Sequence, residues 1–283
     1  MFRQLRKNPD FLTILGWVAL AFLLASATAR AQPTSAANDA APASPEPASA
    51  PSGETSVDAA AVDATALVQR ADAIRFPRES FETLITVTNY TAGEAGDVRE
   101  YKVMSRGNEN TIVLTESPAS ERGQALLMRG RDLWIFMPTV SQPVRLSLSQ
   151  RLTGQVANGD LARANFAGDY SAELAGQETL DGEDAWVLDL TAAGRGVTYA
   201  KVRYWVAVAD DQPIKAEFYA VSGRLLKTSR YEAFQDMAGR MRPTRLVIED
   251  ALKEGDYSVL EYNTMTVKDL PERMFTQQYL RRL

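Results

Sequence analysis

The chain has 283 residues and a net charge of -5, and it contains neither cysteine nor histidine. Without cysteine it can form no disulfide, no thiolate nucleophile and no lipid anchor on an N-terminal cysteine. Without histidine it lacks the Ser-His-Asp triad, the usual general base at pH 7 and the common nitrogen ligand of zinc. Because nucleic-acid binders carry a basic excess, the negative charge also argues against that partner. These absences exclude most hydrolase and redox chemistry and leave an enzyme built on a carboxylate pair. Because no such pair stands out and the sequence has no GxSxG, Walker A or GxGxxG motif, we predict a non-enzymatic protein without a cofactor or a metal.

Residues 1–31 have the three parts of an export signal. Three basic side chains fall within the first seven positions, the run Phe11–Ala25 is apolar, and A-x-A cleavage sites end at Ala29 and Ala31. This run of 15 residues is shorter than the roughly 20 that a membrane-spanning helix needs. We therefore expect a cleaved signal peptide and a periplasmic location. The alternative is an uncleaved helix that tethers the protein to the inner membrane.

Residues 32–56 are predicted to be a disordered linker. Alanine, proline and serine supply 17 of these 25 positions. Such a composition cannot bury enough apolar surface to offset the entropy lost on ordering. The linker leaves residues 57–283 as one folded domain.

This domain begins with a helical pattern and continues with a long β meander. From Val57 to Arg75 apolar residues recur at helical spacing, and Pro77 closes the segment. After Phe81 the period becomes two, and turn signals such as Asp181–Gly182 separate about ten or eleven antiparallel strands. The fold class is therefore mainly β, with a sheet large enough to curl into a barrel or to bend strongly.

Two segments interrupt the meander. Leu148, Leu152 and Val156 lie at positions i, i+4 and i+8, which predicts one or two short helices inserted in the middle of the sheet. Near the end, Asp269 and Pro271 resemble the start of a C-terminal helix.

Some of the predicted strands are apolar on both faces. In the strand Leu133–Met137, Trp134 and Phe136 share one face, and three aliphatic side chains share the other. The strand around Trp205 behaves in the same way. A half-exposed antiparallel strand alternates apolar and polar residues, so these strands indicate a sheet that is covered by helices. Such residues are either ordinary core or the lining of a cavity for an apolar ligand, and the pattern alone leaves both readings open.

Several local strings carry a family resemblance. They are Arg70–Asp72 (RAD) with Arg75–Pro77 (RFP), Arg122–Leu127 (RGQALL), Asp132–Pro138 (DLWIFMP) running on to Val144–Ser147 (VRLS), Leu152–Gly154 (LTG), Asn158–Ala162 (NGDLA), Phe166 with Asp169–Tyr170, and the ending Leu270–Pro271 with Phe275–Thr276 and Tyr279–Leu280. Together with the order of export signal, helix and long sheet, they make residues 66–283 resemble the outer-membrane lipoprotein-sorting protein family, the LolA-like group.

The resemblance implies an open or half β-barrel in which the N-terminal helix and the short inserted helices form a lid over an apolar cavity. The expected function is a periplasmic carrier that binds the acyl chains of a lipid or an acylated protein and shuttles them toward the outer membrane. The alternative is a membrane-tethered accessory or lipid-sensing module of an inner-membrane lipid exporter, which would then be its partner. The candidate lining residues of the cavity are Trp134, Phe136, Leu152, Val156, Tyr204 and Val206.

Overall fold

A computed structural model of the protein describes residues 62–163 and 165–281. The predicted signal peptide (1–31) and linker (32–56) lie outside these residues. The strands, in chain order, are β1 (Phe81–Thr91), β2 (Glu94–Arg106), β3 (Asn110–Ser117), β4 (Ala125–Arg129), β5 (Asp132–Phe136), β6 (Val144–Leu146), β7 (Arg151–Thr153), β8 (Val156–Ala157), β9 (Tyr170–Leu180), β10 (Glu183–Ala192), β11 (Lys201–Ala207), β12 (Pro213–Tyr219), β13 (Leu225–Met237), β14 (Arg240–Asp250) and β15 (Tyr257–Val267). The helices are α1 (Ala64–Arg75), α2 (Asn158–Ala162), α3 (Phe166–Asp169) and α4 (Gln277–Leu280), with a 3₁₀ turn at Glu272–Met274.

Thirteen strands form one antiparallel sheet in the order β6-β5-β4-β3-β2-β1-β15-β14-β13-β12-β11-β10-β9. The edge strands β6 and β9 do not pair with each other in the described part of the chain, so the sheet stays open. Between these two edges the chain runs through residues 147–169, which contain β7, β8, α2 and α3 and which we call the insert. The mainly β, open-sheet class predicted from the sequence is confirmed.

Two details differ from the sequence prediction. The sheet has 13 strands rather than ten or eleven, and one that the pattern missed is β6, which is too short to show a period of two. The prediction of one or two short helices inserted in the middle of the sheet is confirmed by α2 and α3. These helices do not include Leu148–Val156, because this stretch turns through the hairpin β7–β8. Helix α2 begins only at Asn158, where the Ala157 N–H donates to Asp160 Oδ2 at 2.8 Å.

The helices α1, α2 and α3 all pack on the same face of the sheet, which we call the inner face. Most of the hydrophobic core lies there, as one cluster that reaches from β5 to β9. Helix α1 is capped at its start by Asp63, which accepts from the Ala66 N–H at 3.0 Å. At its end Arg242 Nη1 donates to the carbonyls of Ala73 and Ile74, both at 2.9 Å. These contacts fix the helix over the half of the sheet that contains β9, β12 and β14.

The opposite, outer face carries two smaller apolar clusters. One lies on β2 to β5 beneath the C-terminal segment, whose Leu270, Phe275 and Leu280 are buried there. The other consists of Ala185, Val187 and Trp205. The side chains of β4 show the alternation, since Leu126 and Met128 face inward while Ala125 and Leu127 face outward. Strands that are apolar on both faces are therefore covered by different parts of the chain on each side.

Candidate functional site

The insert covers the inner face of the sheet and supplies apolar side chains to its core. Val156, Leu161 and Phe166 are all buried in the inner cluster. Besides this apolar packing, polar contacts join the insert to the rest of the protein. Within the described residues its strands, β7 and β8, pair with each other and not with the large sheet. Four groups of polar contacts hold it in place.

The first contact fixes the hairpin β7–β8 on β1 and β15. Asn89 Nδ2 donates to Thr153 Oγ1 at 2.7 Å, and Ser258 Oγ donates to Asn89 Oδ1 at 2.7 Å. The Gln155 N–H in turn donates to Ser258 Oγ at 2.8 Å. Gly154 makes this close approach possible, since its φ is +47° and an added Cβ would lie 1.9 Å from Asn89 Oδ1.

The second contact joins α2 to β13 and to the segment before β11. Asp160 accepts from Tyr199 Oη at 2.7 Å and from Lys227 Nζ at 3.1 Å. Lys227 Nζ also donates to the Gln155 carbonyl at 2.6 Å. Burial and the negative Asp160 raise the pKa of Tyr199 well above its ordinary value, so this hydroxyl keeps the proton that it donates.

The third contact is a buried ion pair that joins α2 and α3 to the turn between β4 and β5. Arg163 Nη2 donates to Asp169 Oδ1 at 2.7 Å, and Arg163 Nη1 donates to the Gly130 carbonyl at 2.8 Å. Arg131 Nε also donates to Asp169 Oδ1, at 3.1 Å. Asp169 therefore balances two arginines while only 4% of it is exposed.

The fourth contact joins α3 to α1. Asp72 Oδ2 accepts from the Ala167 N–H at 2.8 Å, and Asp72 Oδ1 accepts from Arg75 Nη1 at 3.3 Å. The Arg75 guanidinium lies 4.3 Å from the centre of the Phe166 ring, which covers it. Burial raises the pKa of Asp72 to about 6, against the opposing effect of the Arg75 charge and the backbone N–H groups.

Asp72→Asn should remove part of the pH dependence of stability. Because the folded-state pKa of about 6 lies above the ordinary value of 3.8, folding favours the protonated carboxyl. The protonated carboxyl therefore adds about 3 kcal/mol to the free energy of unfolding at pH values below 3.8. This contribution is lost as the pH rises through the folded-state pKa of about 6. The check is the free energy of unfolding of both proteins across this range. The wild type should lose stability relative to the variant as the pH rises, and a constant difference would contradict the raised pKa.

Two small cavities lie between the insert and the sheet, and an open groove of about 350 Å³ lies where α3 meets α1 and the turn between β2 and β3. A cavity of about 140 Å³ lies between the insert and β2 to β5, lined by Tyr101, Val113, Leu126, Ile135 and Leu152 among others, and another beneath α2 measures about 10 Å³. Pockets for small-molecule ligands typically span about 300–1,000 Å³. Neither of the two small cavities holds a long acyl chain unless the insert moves away from the sheet. A larger cavity, of about 650 Å³, lies on the outer face beside Leu280.

Of the six predicted lining residues, Tyr204 and Val206 lie on the inner face of the sheet, Leu152 and Val156 belong to the insert that covers this face, and Trp134 and Phe136 lie on the outer face. Val156, Tyr204 and Val206 are fully buried in the inner cluster, and Leu152 lines the inner cavity. Trp134 and Phe136 instead point outward against the C-terminal segment, and Phe136 lines the outer cavity. The structure thus brings four of the six together at the inner face and separates the other two.

Asp72, Arg75, Asp160 and Asp169 stand in the strings that carry the family resemblance, but sequence reasoning gave them no structural role. Asp72 and Arg75 lie at i and i+3 on the buried side of α1, a position that usually holds apolar residues. Such a polar pair at buried helix positions indicates a contact with another element, whereas no residue near Asn89 in the sequence indicates its contact with the insert. Among residues 62–163 and 165–281 no group of carboxylates is placed to hold a metal ion, and no helix there is long and apolar enough to cross a membrane.

Solved structures of other proteins share this open antiparallel sheet. A LolA superfamily protein from Nitrosomonas europaea is 58% identical, matches 77% of this chain and 100% of its own, and superposes with a TM-score of 0.74. An outer membrane lipoprotein-sorting protein domain from Vibrio parahaemolyticus shares the fold at 20% identity, with coverage of 77% and 98% and a TM-score of 0.67. The chain belongs to the LolA superfamily.

Residues 107–282 also match the model of a protein family whose description is "Uncharacterized protein". No curated protein matches the chain significantly in sequence.

Proposed function

We propose that this protein is a periplasmic, non-enzymatic carrier that binds acyl chains of a lipid or an acylated protein and shuttles them toward the outer membrane. The observation that carries the proposal is the inner face, a continuous apolar surface under an insert that is held by polar side-chain contacts. Displacing the insert would expose that surface. Because burying each CH₂ of an acyl chain contributes about 0.8 kcal/mol, a long chain can replace the lost contacts without any covalent chemistry.

The four candidate lining residues at the inner face, Leu152, Val156, Tyr204 and Val206, belong to this proposal. Trp134 and Phe136 would enter it only if the outer cavity also takes an apolar ligand. The membrane-tethered accessory module stays the alternative, and N-terminal sequencing of the protein from cells separates the two. A chain that begins at Arg30 or Gln32 supports a free carrier, and an intact Met1 supports a tethered module.

A disulfide that locks the insert gives a direct test of the carrier. The native chain has no cysteine, so Gly159→Cys with Thr198→Cys creates a single pair. A Cβ at position 159 would lie 3.0 Å from the Cβ of Thr198, so a shift of about 0.5–1 Å gives disulfide geometry. The pair would hold α2 against the segment before β11.

The measurement is titration of the protein with a fluorescent fatty acid. We expect the reduced protein to bind the probe and the oxidised protein to lose at least about tenfold in affinity, since the insert can no longer leave the sheet. Wild type treated with the same oxidant is the control. Equal binding by both redox forms would contradict entry beneath the insert, and absence of binding by wild type would overturn the carrier function.

A further inference from the structure

The inner face contains a buried arginine that uses few of its hydrogen-bond donors. Arg75 is 8% exposed, and its guanidinium carries five N–H donors. Within the described residues its side chain makes one hydrogen bond, to Asp72 at the long distance of 3.3 Å. A buried arginine is normally held by a short, two-pronged contact with a carboxylate or phosphate. Arg75 thus retains donors for a second anion.

Two buried hydroxyls on the same face also lack well-formed hydrogen bonds. No hydrogen bond of normal geometry reaches Tyr204 Oη or Ser229 Oγ among the residues that the structure describes, although Arg75 approaches Tyr204 and Tyr231 approaches Ser229. Tyr204 is opposite Ala216, and Ala216 is opposite Ser229, so all three lie in one row across β11, β12 and β13. Buried hydroxyls are usually paired, and leaving one unpaired costs about 1–3 kcal/mol.

The cation and the Tyr204 hydroxyl belong to one neighbourhood under α3. The Phe166 ring lies 4.3 Å from the Arg75 guanidinium and 5.4 Å from the Tyr204 ring, measured between centres. Tyr231, two residues from Ser229 on β13, lies 5.5 Å from the guanidinium and 6.2 Å from Tyr204. Displacement of α3 would remove Phe166 and uncover the donors.

We propose that Arg75, Tyr204 and Ser229 bind the anionic end group of an acyl ligand, a carboxylate or a phosphate, while its chain lies on the inner face. This inference rests on the proposed carrier function and names its ligand class. The guanidinium matches the two oxygens of such a group, and hydrogen bonds to a charged group strengthen in a buried, water-poor site. Asp72 is the opposing charge, and because burial raises its pKa to about 6, a proton can neutralise it when an anion arrives.

The test compares three amphiphiles with the same acyl chain: palmitate, palmitoyl lysophosphatidate and neutral monopalmitin. Each displaces a bound fluorescent probe from the export-processed protein. We expect wild type to prefer at least one of the two anions over monopalmitin by about 10–100-fold, as hydrogen bonds to a charged group suggest. The anion that binds more tightly identifies the carboxylate or the phosphate as the natural end group.

Tyr204→Phe and Ser229→Ala separate this role from a structural one. Removing an unpaired buried hydroxyl should leave the melting temperature unchanged or raise it. The same variants, alone and combined, should reduce the preference for the anion about fivefold or more, with little effect on monopalmitin. Arg75→Lys should lose most of the preference, because an ammonium group cannot make the two-pronged contact.

Two outcomes would overturn the inference while the carrier function stands. One is equal affinity of wild type for all three amphiphiles. The other is an undiminished anion preference in the Tyr204→Phe, Ser229→Ala double variant. Failure to bind any of the three would instead contradict the carrier function itself.

Discussion

Asp169→Ala should lower the free energy of unfolding by about 3–5 kcal/mol, the range for breaking a buried ion pair from one side. The loss leaves Arg163, itself 7% exposed, without its carboxylate, and it also removes a partner of Arg131. Because these contacts join α2 and α3 to the turn between β4 and β5, the insert should loosen before the sheet does. Chemical denaturation gives the total effect, and hydrogen exchange shows where it is located.

Asp132→Ala is the matched control for this experiment. Asp132 also pairs with an arginine, Arg145, but 50% of its side chain is exposed. Exposed pairs contribute about 0–1 kcal/mol. An equally small effect at Asp169 would show that its two arginines find other acceptors and that the ion pair does not hold the insert.

Gly154→Ala should destabilise the protein by about 2–5 kcal/mol. The new Cβ would overlap Asn89 and Ser258 and break the contact between the hairpin β7–β8 and the sheet, at about 1–3 kcal/mol for overpacking. A residue other than glycine at φ +47° adds about 1–2 kcal/mol. Thermal unfolding measures the sum.

Gly223→Ala provides the comparison for the Gly154 variant. Gly223 has a φ of +79°, and nothing lies within 4 Å of an added Cβ. It therefore bears the backbone strain without the overlap. If both variants lose the same stability, the close approach of Gly154 to Asn89 has no energetic importance, and the hairpin is held by its other contacts.

The strands of the sheet could be predicted from local patterns, whereas the chain segments that pack on its two faces could not. A period of two and a turn such as Asp181–Gly182, where both residues have positive φ, are properties of adjacent residues. The two apolar faces of β5 were also visible in the sequence. Which element covers Trp134 depends on a C-terminal segment more than 130 positions away, whose Leu270 and Phe275 share its cluster.

The insert was the least predictable part of the candidate site. Leu148 and Val156 are both buried, which imitates a helical period, although the chain reverses between them in β7–β8. Arg131 and Asp169 are separated by 38 positions, so the alternation of apolar and polar residues says nothing about their pairing. Such contacts depend on how the insert crosses the sheet, and this follows only from the three-dimensional arrangement.

The pairing of β1 with β15 also determines when the domain can become complete during synthesis. In this pair Phe81 lies opposite Val267, so two strands far apart in the sequence lie side by side at the centre of the sheet. Closing so long a loop is slow and costly in entropy, in contrast to the hairpins between neighbouring strands. Each half of the sheet, β1 to β6 and β9 to β15, can begin to form alone. The apolar face shared by both halves is finished only after the last strand has emerged, so the chain is exposed to aggregation until then.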